Sequence, residues 1–274
     1  MELSNSVKTK LDNVTSYLRG KKVLVAFSGG VDSSLLAYLS SRYAKETLLI
    51  TEKSILYPDE EIDEASQFAI SHNIPHVIIE RDPLKDKNFQ CNPENRCYIC
   101  KTGLYEDIIS VKKERNFDTI LDGSNTDDLL DYRPGMQALK ELNIYTPYIE
   151  YNINKQEIRE ISKFFNLSVQ SKPSMACFSS RVPYGQEINE EKLHRIREGE
   201  RFLRETFELK QLRVRHHDNA LARIELLPED FPKVLKPENL NLIKKKFKEL
   251  GFNYITIDLE GFRSGSMNEV LALN

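Results

Sequence analysis

The stretch Ser28-Gly29-Gly30-Val31-Asp32-Ser33-Ser34 decides the fold that this sequence predicts. It follows a short apolar segment, residues 23–27, and leads into residues 35–39, whose pattern is typical of a helix. A strand, a glycine turn and a helix start in this order form an anion-binding device. Paired glycines let backbone N–H groups converge, serine hydroxyls add donors, and a helix N-terminus favours negative charge. The stretch therefore predicts a phosphate-binding loop.

Strand-like and helix-like segments alternate through the first half of the chain. The strand-like segments are residues 23–27, 47–51, 76–80 and 119–123. This alternation is typical of a doubly wound parallel sheet and so predicts the α/β class. Because ligands of such sheets bind beyond the carboxyl ends of the strands, the candidate positions follow the strands. These are residues 28–33, residues 51–56 with Ser54, and residues 123–128.

The pattern changes after about residue 185. A helix-like segment over 190–207 precedes two alternating strands, a helix over about 238–250 and a last strand over 254–259. This β–β–α–β order predicts a small α+β subdomain. We therefore expect a first domain over residues 1–170, a Ser- and Pro-containing joint over 171–185, and a C-terminal subdomain over 186–274.

Composition and charge narrow the possible functions. The 274 residues carry a net charge of −3, which argues against a dedicated nucleic-acid binder, although 39 lysines and arginines could form a local basic face. We expect no secretory signal, and no apolar run approaches the ~20 residues that span a bilayer. Four cysteines stand at positions 91, 97, 100 and 177 in a chain that we expect to be cytoplasmic. In that compartment close cysteines are more often metal ligands or catalysts than disulfides.

Polar residues follow the fourth predicted strand, in the segment 122–128. Gly123 and Ser124 are small enough for a nucleotide base to approach the backbone. The carboxylates of Asp127 and Asp128 suit Mg²⁺, bound directly or through water. Arg133, further along, could neutralise a phosphate or a carboxylate. A plain turn that ends in an Asp helix cap remains the alternative.

The cysteines suggest a metal or redox site. Cys97 and Cys100, three positions apart, lie on one face of a helical turn, as in zinc, iron–sulfur and redox sites. Cys177 has Lys172 and Arg181 nearby in sequence, which could hold its thiol as thiolate, although a buried structural cysteine is the alternative. Zinc would need a fourth ligand such as Cys91 or a histidine. Three cysteines, at 97, 100 and 177, instead fit a [4Fe–4S] cluster with one open iron, and Cys91 is then a spare.

The order S-G-G-x-D-S in the first stretch resembles the PP-loop of ATP pyrophosphatases, which split ATP into AMP and pyrophosphate to activate a carbonyl or carboxylate. No lysine follows the glycines, so the loop is not the Walker type. Together with residues 122–128, 131–135, 176–185 and 261–265, it resembles the LarE family. These proteins are PP-loop sulfur transferases of nickel-pincer nucleotide cofactor biosynthesis. The resemblance covers essentially the whole chain.

The resemblance implies a substrate and a source of sulfur. Family members turn the carboxylates of pyridinium-3,5-biscarboxylic acid mononucleotide into thiocarboxylates. In the single-cysteine type, the residue that matches Cys177 gives up its own sulfur. Members that also carry the C-x-x-C resemble a type in which the open iron of a [4Fe–4S] cluster holds a transferable sulfide. With Cys97 and Cys100 present, this sequence is similar to the second type.

The resemblance also implies the roles of individual residues. It makes Cys177 and Asp32 catalytic. ATP with Mg²⁺ would bind at Ser28, Gly29, Gly30, Asp32, Ser33, Ser54, Gly123 and Ser124. The substrate would bind at Ser180, Arg181, Arg213, Arg215, Arg263 and Arg133, and residues 213 and 215 would point to one face of a strand as two phosphate-binding forks. Glu200 and Glu225 match family carboxylates whose role stays open.

The predicted function is thus an AMP-forming sulfur transferase that obtains sulfide directly or from a donor protein, and related proteins suggest a homo-oligomer. Three alternatives remain. They are an amide ligase similar to NAD synthetase, a tRNA thiolase, and a nucleotide sensor whose cysteines hold structural zinc.

Overall fold

A computed structural model of the chain describes residues 2–129, 133–172 and 176–271. The strands are β1 (Lys22–Ala26), β2 (Glu46–Lys53), β3 (His76–Glu80), β4 (Thr119–Leu121), β5 (Leu212–His217), β6 (Leu221–Leu226) and β7 (Tyr254–Ile257). The α-helices are α1 (Asn5–Leu18), α2 (Val31–Tyr43), α3 (Asp59–Ser71), α4 (Lys87–Gln90), α5 (Arg96–Glu114), α6 (Gly135–Glu141), α7 (Pro147–Glu150), α8 (Lys155–Phe164), α9 (Glu190–Phe207), α10 (Phe231–Val234) and α11 (Pro237–Glu249).

The first four strands form a parallel sheet in the order β3-β2-β1-β4. The chain moves outward from β1 to β3 and then returns to place β4 on the other side of β1. This reversal creates a crevice at the carboxyl ends of β1 and β4, which is where open α/β sheets bind ligands. The segments that leave these two strands, residues 28–33 and 122–128, are two of the predicted ligand-binding segments.

Helices cover both faces of this sheet. Val23 and Val25 of β1 belong to a core that includes residues of α1, α2, α3 and α8. Leu24, between them, belongs to a second core with residues of α5 and α6. Strands that are buried on both faces are typical of parallel sheets, and the predicted doubly wound α/β sheet is confirmed. Among the described residues, no helix combines the length and the apolar character that crossing a membrane requires.

Contacts between residues divide the described chain into two units. The first contains Met1–Asp82 and Asn95–Met175, and the second contains Pro83–Glu94 and Ala176–Asn274. The second unit thus includes a segment, 83–94, that the sequence placed in the first domain. Pro173, Ser174 and Met175 of the predicted joint lie outside the described residues, as do Asp131 and Tyr132 of the 131–135 motif. The domain boundaries drawn from the sequence stay a prediction.

The segment 83–94 is held in the second unit by hydrogen bonds around Asn92. The side-chain Nδ2 of this buried residue donates to the carbonyl oxygens of Val182 (3.1 Å) and Pro183 (2.7 Å). The backbone N–H of Gly185 donates to the carbonyl oxygen of Asn92 at 2.9 Å. Buried backbone carbonyls need such partners, so the asparagine fixes this segment against residues 182–185.

The second unit contains a three-stranded sheet in the order β5-β6-β7. β5 and β6 are antiparallel, whereas β6 and β7 are parallel and are connected through α11. One face packs on α9 and α11 through an apolar core that includes Val214, Ile224 and Phe247. Arg213 and Arg215 alternate with Val214 along β5 and so point to the opposite face. The predicted small α+β subdomain is confirmed.

We expect the substitution Asn92→Ala to lower the free energy of unfolding by about 2–4 kcal/mol, because one buried and one partly buried carbonyl lose their donor and Ala is strained at a positive φ. Asn92 has φ +53°. Asn92→Gly removes the same hydrogen bonds without the strain and should cost less. Exposed Asn88 of α4 provides the control substitution Asn88→Ala. Thermal unfolding measures all three, and equal stability of the Ala variants at 88 and 92 would contradict this account.

Candidate active site

The glycine loop between β1 and α2 is built for close backbone packing. Gly29 has φ +69°, and a Cβ added there would lie 3.2 Å from the Cβ of Ala65 in α3. Gly30 is the N-cap of α2. The backbone N–H of Ser28 donates to Ser33 Oγ at 3.2 Å, and that hydroxyl donates to the carbonyl of Gly30, also at 3.2 Å. The loop is therefore locked on itself at a helix N-terminus, the arrangement that binds phosphate.

The segment after β4 packs directly against this loop. A Cβ added to Gly123 would lie 3.0 Å from the backbone nitrogen of Ser33 and 3.2 Å from the carbonyl carbon of Asp32. Glycine is thus required here for the approach of two backbones. The sequence suggested instead that Gly123 makes room for a nucleotide base, and that role stays a prediction.

Asp122, directly after β4, anchors the segment. Its carboxylate accepts hydrogen bonds from the backbone N–H of Ser124 (2.8 Å), from the Ser124 hydroxyl and from the hydroxyl of Tyr105. The ammonium of Lys101 lies 3.5 Å away. Burial by itself would raise the pKa of Asp122, but Lys101 and the hydrogen bonds outweigh it and lower that pKa. Ser124, a predicted nucleotide ligand, thus has a structural partner.

The predicted carboxylates come together beside the loop. The ammonium of Lys155, the first residue of α8, forms an ion pair with Asp32. The backbone N–H of the same lysine donates to Asp127 Oδ2 at 3.1 Å. Arg133 pairs with Asp128 at 2.7 Å. Three carboxylates and two cations therefore lie at the carboxyl ends of β1 and β4.

One carboxylate oxygen of this group, Oδ1 of Asp32, is buried and has no hydrogen-bond partner among the described residues. Burial raises the pKa of Asp32, although Lys155 acts in the opposite direction, and the nearby charge of Asp128 raises it further. A cation bound at this oxygen would satisfy it and favour the ionised form.

Ser54 lies directly after β2, and its hydroxyl accepts a hydrogen bond from the backbone N–H of Leu56 at 3.3 Å. This contact stabilises the turn. Its role as a nucleotide ligand stays a prediction.

Lys172, which the sequence associates with the thiol of Cys177, has its contacts in the first unit. Its ammonium lies 2.7 Å from both Glu61 and Glu64 of α3. It also donates to the carbonyl oxygen of Gly29 at 3.3 Å. Burial lowers the pKa of Lys172, but the two carboxylates outweigh burial and raise it. Lys172 is therefore a cation that stabilises the glycine loop through the carbonyl oxygen of Gly29.

The C-x-x-C pair lies at the start of α5. Cys97 is exposed and Cys100 is half-buried. Arg81 fixes this part of the helix, since it donates to the carbonyl of Cys100 (3.4 Å) and pairs with Asp107 (2.7 Å). Lys101, next to Cys100, reaches Asp122, so the pair lies near the end of β4. Within either unit, the described residues contain no group of three or more His, Cys, Asp or Glu side chains that could hold a metal ion.

In the second unit, Cys177 begins a short 3₁₀ turn, Phe178–Arg181. Its Sγ lies 2.9 Å from the hydroxyl of Ser179, and the side chain is half-buried. Arg181 Nη1 donates to the backbone carbonyl oxygens of Ala176 (2.6 Å) and Cys177 (2.8 Å). The guanidinium of Arg181 thus binds the backbone of the turn that presents the thiol.

Arg181 is anchored in turn by Glu200 of α9. The two side chains are 0% and 1% exposed and form a bidentate pair, with N···O distances of 2.9 and 3.2 Å. Glu200 Oε1 also accepts a hydrogen bond from the backbone N–H of Val214 at 3.1 Å. Glu200 is therefore a structural counter-ion. Arg181 as a substrate ligand stays a prediction, whereas in this structure it fixes the cysteine turn.

Arg213 and Arg215 are both 5% exposed and extend the buried positive charge. Arg215 donates to the carbonyl of Ser180 (3.0 Å) and pairs with Glu225 (2.7 Å). Burial, together with the like charge of Arg181, lowers the pKa of Arg213 to about 10.

Arg263 is joined to this group through Asp258, which also pairs with Arg223, a second partner of Glu225. It pairs with Glu260 (2.8 Å), Glu269 (3.0 Å) and Asp258 (3.6 Å). Its predicted contact with substrate would have to compete with these carboxylates. The structure thus groups Ser180, Arg181, Arg213 and Arg215 in the second unit, and Arg133 belongs to the first.

Comparison with known proteins identifies the family. No family model matches the sequence. An uncharacterized protein of Synechocystis sp. is 39% identical over 267 residues, which are 97% of this chain and 99% of that protein. The pyridinium-3,5-bisthiocarboxylic acid mononucleotide synthase of Lactiplantibacillus plantarum is 31% identical over 259 residues, 92% of this chain and 90% of that protein. The chain belongs to the LarE family.

A more distant relative has the same type of fold. The tRNA-specific 2-thiouridylase MnmA of Clostridium kluyveri is 25% identical over 219 residues, 65% of this chain and 62% of that protein. These similarities confirm the predicted PP-loop fold of this LarE family member. They also confirm that it is a sulfur-transferring enzyme.

Sequence reasoning missed several residues of this LarE family site. Lys155 contacts Asp32 across 123 positions of the chain, and no local motif marks it. Lys101 was likewise missed, although its position next to the C-x-x-C was a usable signal. The sequence marked Glu200 and Glu225 without a role, and only the folded chain shows that they pair with Arg181 and Arg215.

We expect Gly123→Ala to lower the free energy of unfolding by about 1–3 kcal/mol and to weaken ATP binding, because the new methyl group must displace the glycine loop. Gly20→Ala is the matched control, since Gly20 has φ +75° but open space around a Cβ. The control should lose stability and keep its ATP affinity. Calorimetric titration with ATP decides, and unchanged ATP affinity of Gly123→Ala would contradict the packing argument.

We expect Glu200→Gln to lower the free energy of unfolding by about 3–5 kcal/mol at neutral pH, because Arg181 then lacks its buried counter-ion. Arg181 and other partners lower the pKa of Glu200 below its ordinary value of 4.5, in spite of burial. A depressed pKa in the folded state stabilises the protein above the unfolded pKa, and this contribution is lost as the pH falls. The stability difference from wild type should therefore shrink below pH 4.5.

The control is Glu198→Gln on the same helix, where the carboxylate pairs with Arg201 nearer the surface. It should cost at most about 1 kcal/mol. Chemical denaturation at several pH values measures both variants. A difference for Glu200→Gln that stays constant as the pH falls would refute the assignment.

Proposed function

We propose that this LarE family protein is an ATP-dependent sulfur transferase that converts carboxylates of pyridinium-3,5-biscarboxylic acid mononucleotide into thiocarboxylates. Its 31% identity to the Lactiplantibacillus plantarum synthase, over nine-tenths of both chains, is the observation that carries this proposal. The buried arginines around Ser180 support it, because a phosphorylated dicarboxylate is an anion.

The first step activates a carboxylate. One carboxylate oxygen of the substrate attacks the α-phosphorus of ATP, the bond from that phosphorus to the bridging oxygen breaks, and pyrophosphate leaves. The product is an acyl-adenylate. Its leaving group in the next step is AMP, whereas the leaving group of the free carboxylate would be oxide. The glycine loop binds the phosphates through backbone N–H groups, and cations balance the charge that develops on the leaving group.

The carboxylates beside the loop fit a magnesium ion. Asp32 offers a buried oxygen without a partner, and Asp127 and Asp128 are near it. Mg²⁺ in nucleotide sites binds one or two carboxylates in addition to phosphate oxygens, so a group of three protein ligands is not required. When bound, Mg²⁺ would neutralise phosphate charge.

Three thiols, at Cys97, Cys100 and Cys177, fit a [4Fe–4S] cluster by their chemistry. They are soft ligands, and the first two are one helical turn apart on α5. Such a cluster would supply an open iron that carries a sulfide for transfer. The protein itself contributes the thiolates, and it contributes Arg181 and Ser179, which position Cys177.

The alternative source of sulfur is Cys177 itself. Its thiolate would attack the acyl carbonyl, AMP would leave, and a thioester would form. Removal of the α-proton of the residue would then break its Cβ–S bond, releasing the thiocarboxylate and leaving dehydroalanine. This route consumes the protein, and Cys97 and Cys100 would have no part in it.

The remaining assignments follow the family. The proposed partners are the nucleotide-like substrate and sulfide or a protein that donates sulfur. Homo-oligomer formation and a cytoplasmic location stay predictions. The tRNA thiolase alternative rests on relatives such as MnmA that match only 65% of the chain.

We expect the protein, purified without oxygen and given ATP, substrate and sulfide, to form one AMP and one pyrophosphate for each thiocarboxylate over several turnovers. Cys177 should keep its sulfur. Cys97→Ala and Cys100→Ala should abolish thiocarboxylate formation and leave adenylation intact, because their thiols serve only the sulfur step. Chromatography of the products and mass spectrometry of the intact protein measure these outcomes.

Cys91→Ala is the control and should retain full activity, since Cys91 is spare in this scheme. Formation of ADP and phosphate would refute the activation step. Loss of the mass of H₂S at Cys177, with at most one sulfur delivered per chain, would establish the sacrificial route. Thiolation of tRNA in place of the nucleotide would support the MnmA-like alternative.

A further inference from the structure

Strand β7 forms an open edge of the sheet in the second unit. The strand order is β5-β6-β7, and no described strand pairs with the outer edge of β7. Its four residues, Tyr254-Ile255-Thr256-Ile257, include no charged residue and no proline. Charges and prolines normally keep an open edge from pairing with another chain, and the opposite edge strand, β5, carries two arginines and two histidines. β7 is therefore the edge of this sheet that is able to pair.

An apolar surface continues from this edge. Beside β7, a groove of about 480 Å³ is lined by residues of α11 and β7 that include Leu240, Ile243 and Ile255. Tyr254, at the start of β7, is 61% exposed, and Leu259, in the turn after the strand, is 91% exposed. A single exposed leucine needs no explanation. An uncharged strand edge, an apolar groove and two large exposed side chains in one place together indicate an interaction surface.

The exposed charges at the two ends of β7 have opposite signs. Lys248 of α11 donates a hydrogen bond to the carbonyl oxygen of Asn253, directly before the strand. Lys244, one turn earlier on α11, lines the same groove. Glu260 follows the strand, and its side chain is 72% exposed, whereas that of its partner Arg263 is 29% exposed. The exposed charge is thus basic at the start of β7 and acidic at its end.

A second copy of the chain complements this surface. A two-fold axis between two copies sets the same edge strand of each side by side in opposite directions, so that one surface is used twice. The turn that ends β7 in one copy then lies beside the start of β7 in the other copy. This arrangement brings Leu259 of each copy to the groove of the other and sets Glu260 near the opposite Lys248.

We propose that two copies of this chain associate through β7, as an antiparallel pair of edge strands that joins their two sheets into one. Backbone hydrogen bonds between the two β7 strands hold the pair, and Leu259 of each copy covers the apolar groove of the other. The lysines and glutamates at the strand ends fix the antiparallel direction. The inference is independent of the proposed sulfur transfer, because it uses none of the residues assigned to ATP, substrate or sulfur.

Sedimentation velocity measures this association. The wild type should form a dimer or a larger assembly with an even number of chains. Tyr254→Lys and Leu259→Ser should each raise the concentration at which half of the pairs dissociate by about tenfold or more, because each change acts twice in a symmetric interface. Both side chains are exposed in the single chain, so circular dichroism should show an unchanged fold. The control Ile70→Ser, at a residue of α3 that is 75% exposed, should leave that concentration within about twofold.

Charge reversal separates self-association from the binding of another protein. Lys248→Glu and Glu260→Lys should each weaken the pair about threefold or more, because like charges then meet at both ends of the strands. The double variant should return to within about twofold of the wild type. A monomeric wild type would overturn the proposal, and so would wild-type association in both Tyr254→Lys and Leu259→Ser. A double variant that associates no better than the single variants would also overturn it.

Discussion

The contact between Gly123 and the backbone of Asp32 and Ser33 is the constraint on which the first site depends. Two parallel strands end side by side there, and the segments that leave them touch without an intervening side chain. This contact brings the carboxylates after β4 next to the carboxylate on α2. It also leaves a crevice at the switch point of the sheet, where phosphate can meet the N–H groups of the loop.

Buried charge organises the second unit. Three arginines and two glutamates lie beneath the surface, and each glutamate binds an arginine directly. Taking such ions out of water is costly unless they are paired, so the pairs specify one arrangement of the chain around Cys177 more than they add stability.

Each unit groups a different set of candidate functional residues. The first supplies a phosphate cradle, acidic ligands and cations, which suit adenylation. The second supplies a thiol on a turn that Arg181 fixes, and Arg215 contacts the same turn through the carbonyl oxygen of Ser180. The C-x-x-C pair lies on α5 and so belongs to the first unit.

The sequence alone determined the fold class and the family, and its motifs supplied the candidate site residues. Strand, glycine and helix signals are local, and the S-G-G-x-D-S order and the C-x-x-C spacing can be read within a few residues. Tertiary structure alone decided the partners of those residues. Lys155 of α8 pairs with Asp32 of α2, and Asn92 binds the carbonyl oxygens of residues 182 and 183. Glu200 holds Arg181 in a buried ion pair. Such contacts join side chains that are far apart in sequence. Their energy depends on burial and on the distances between charged groups, and a local sequence pattern predicts neither.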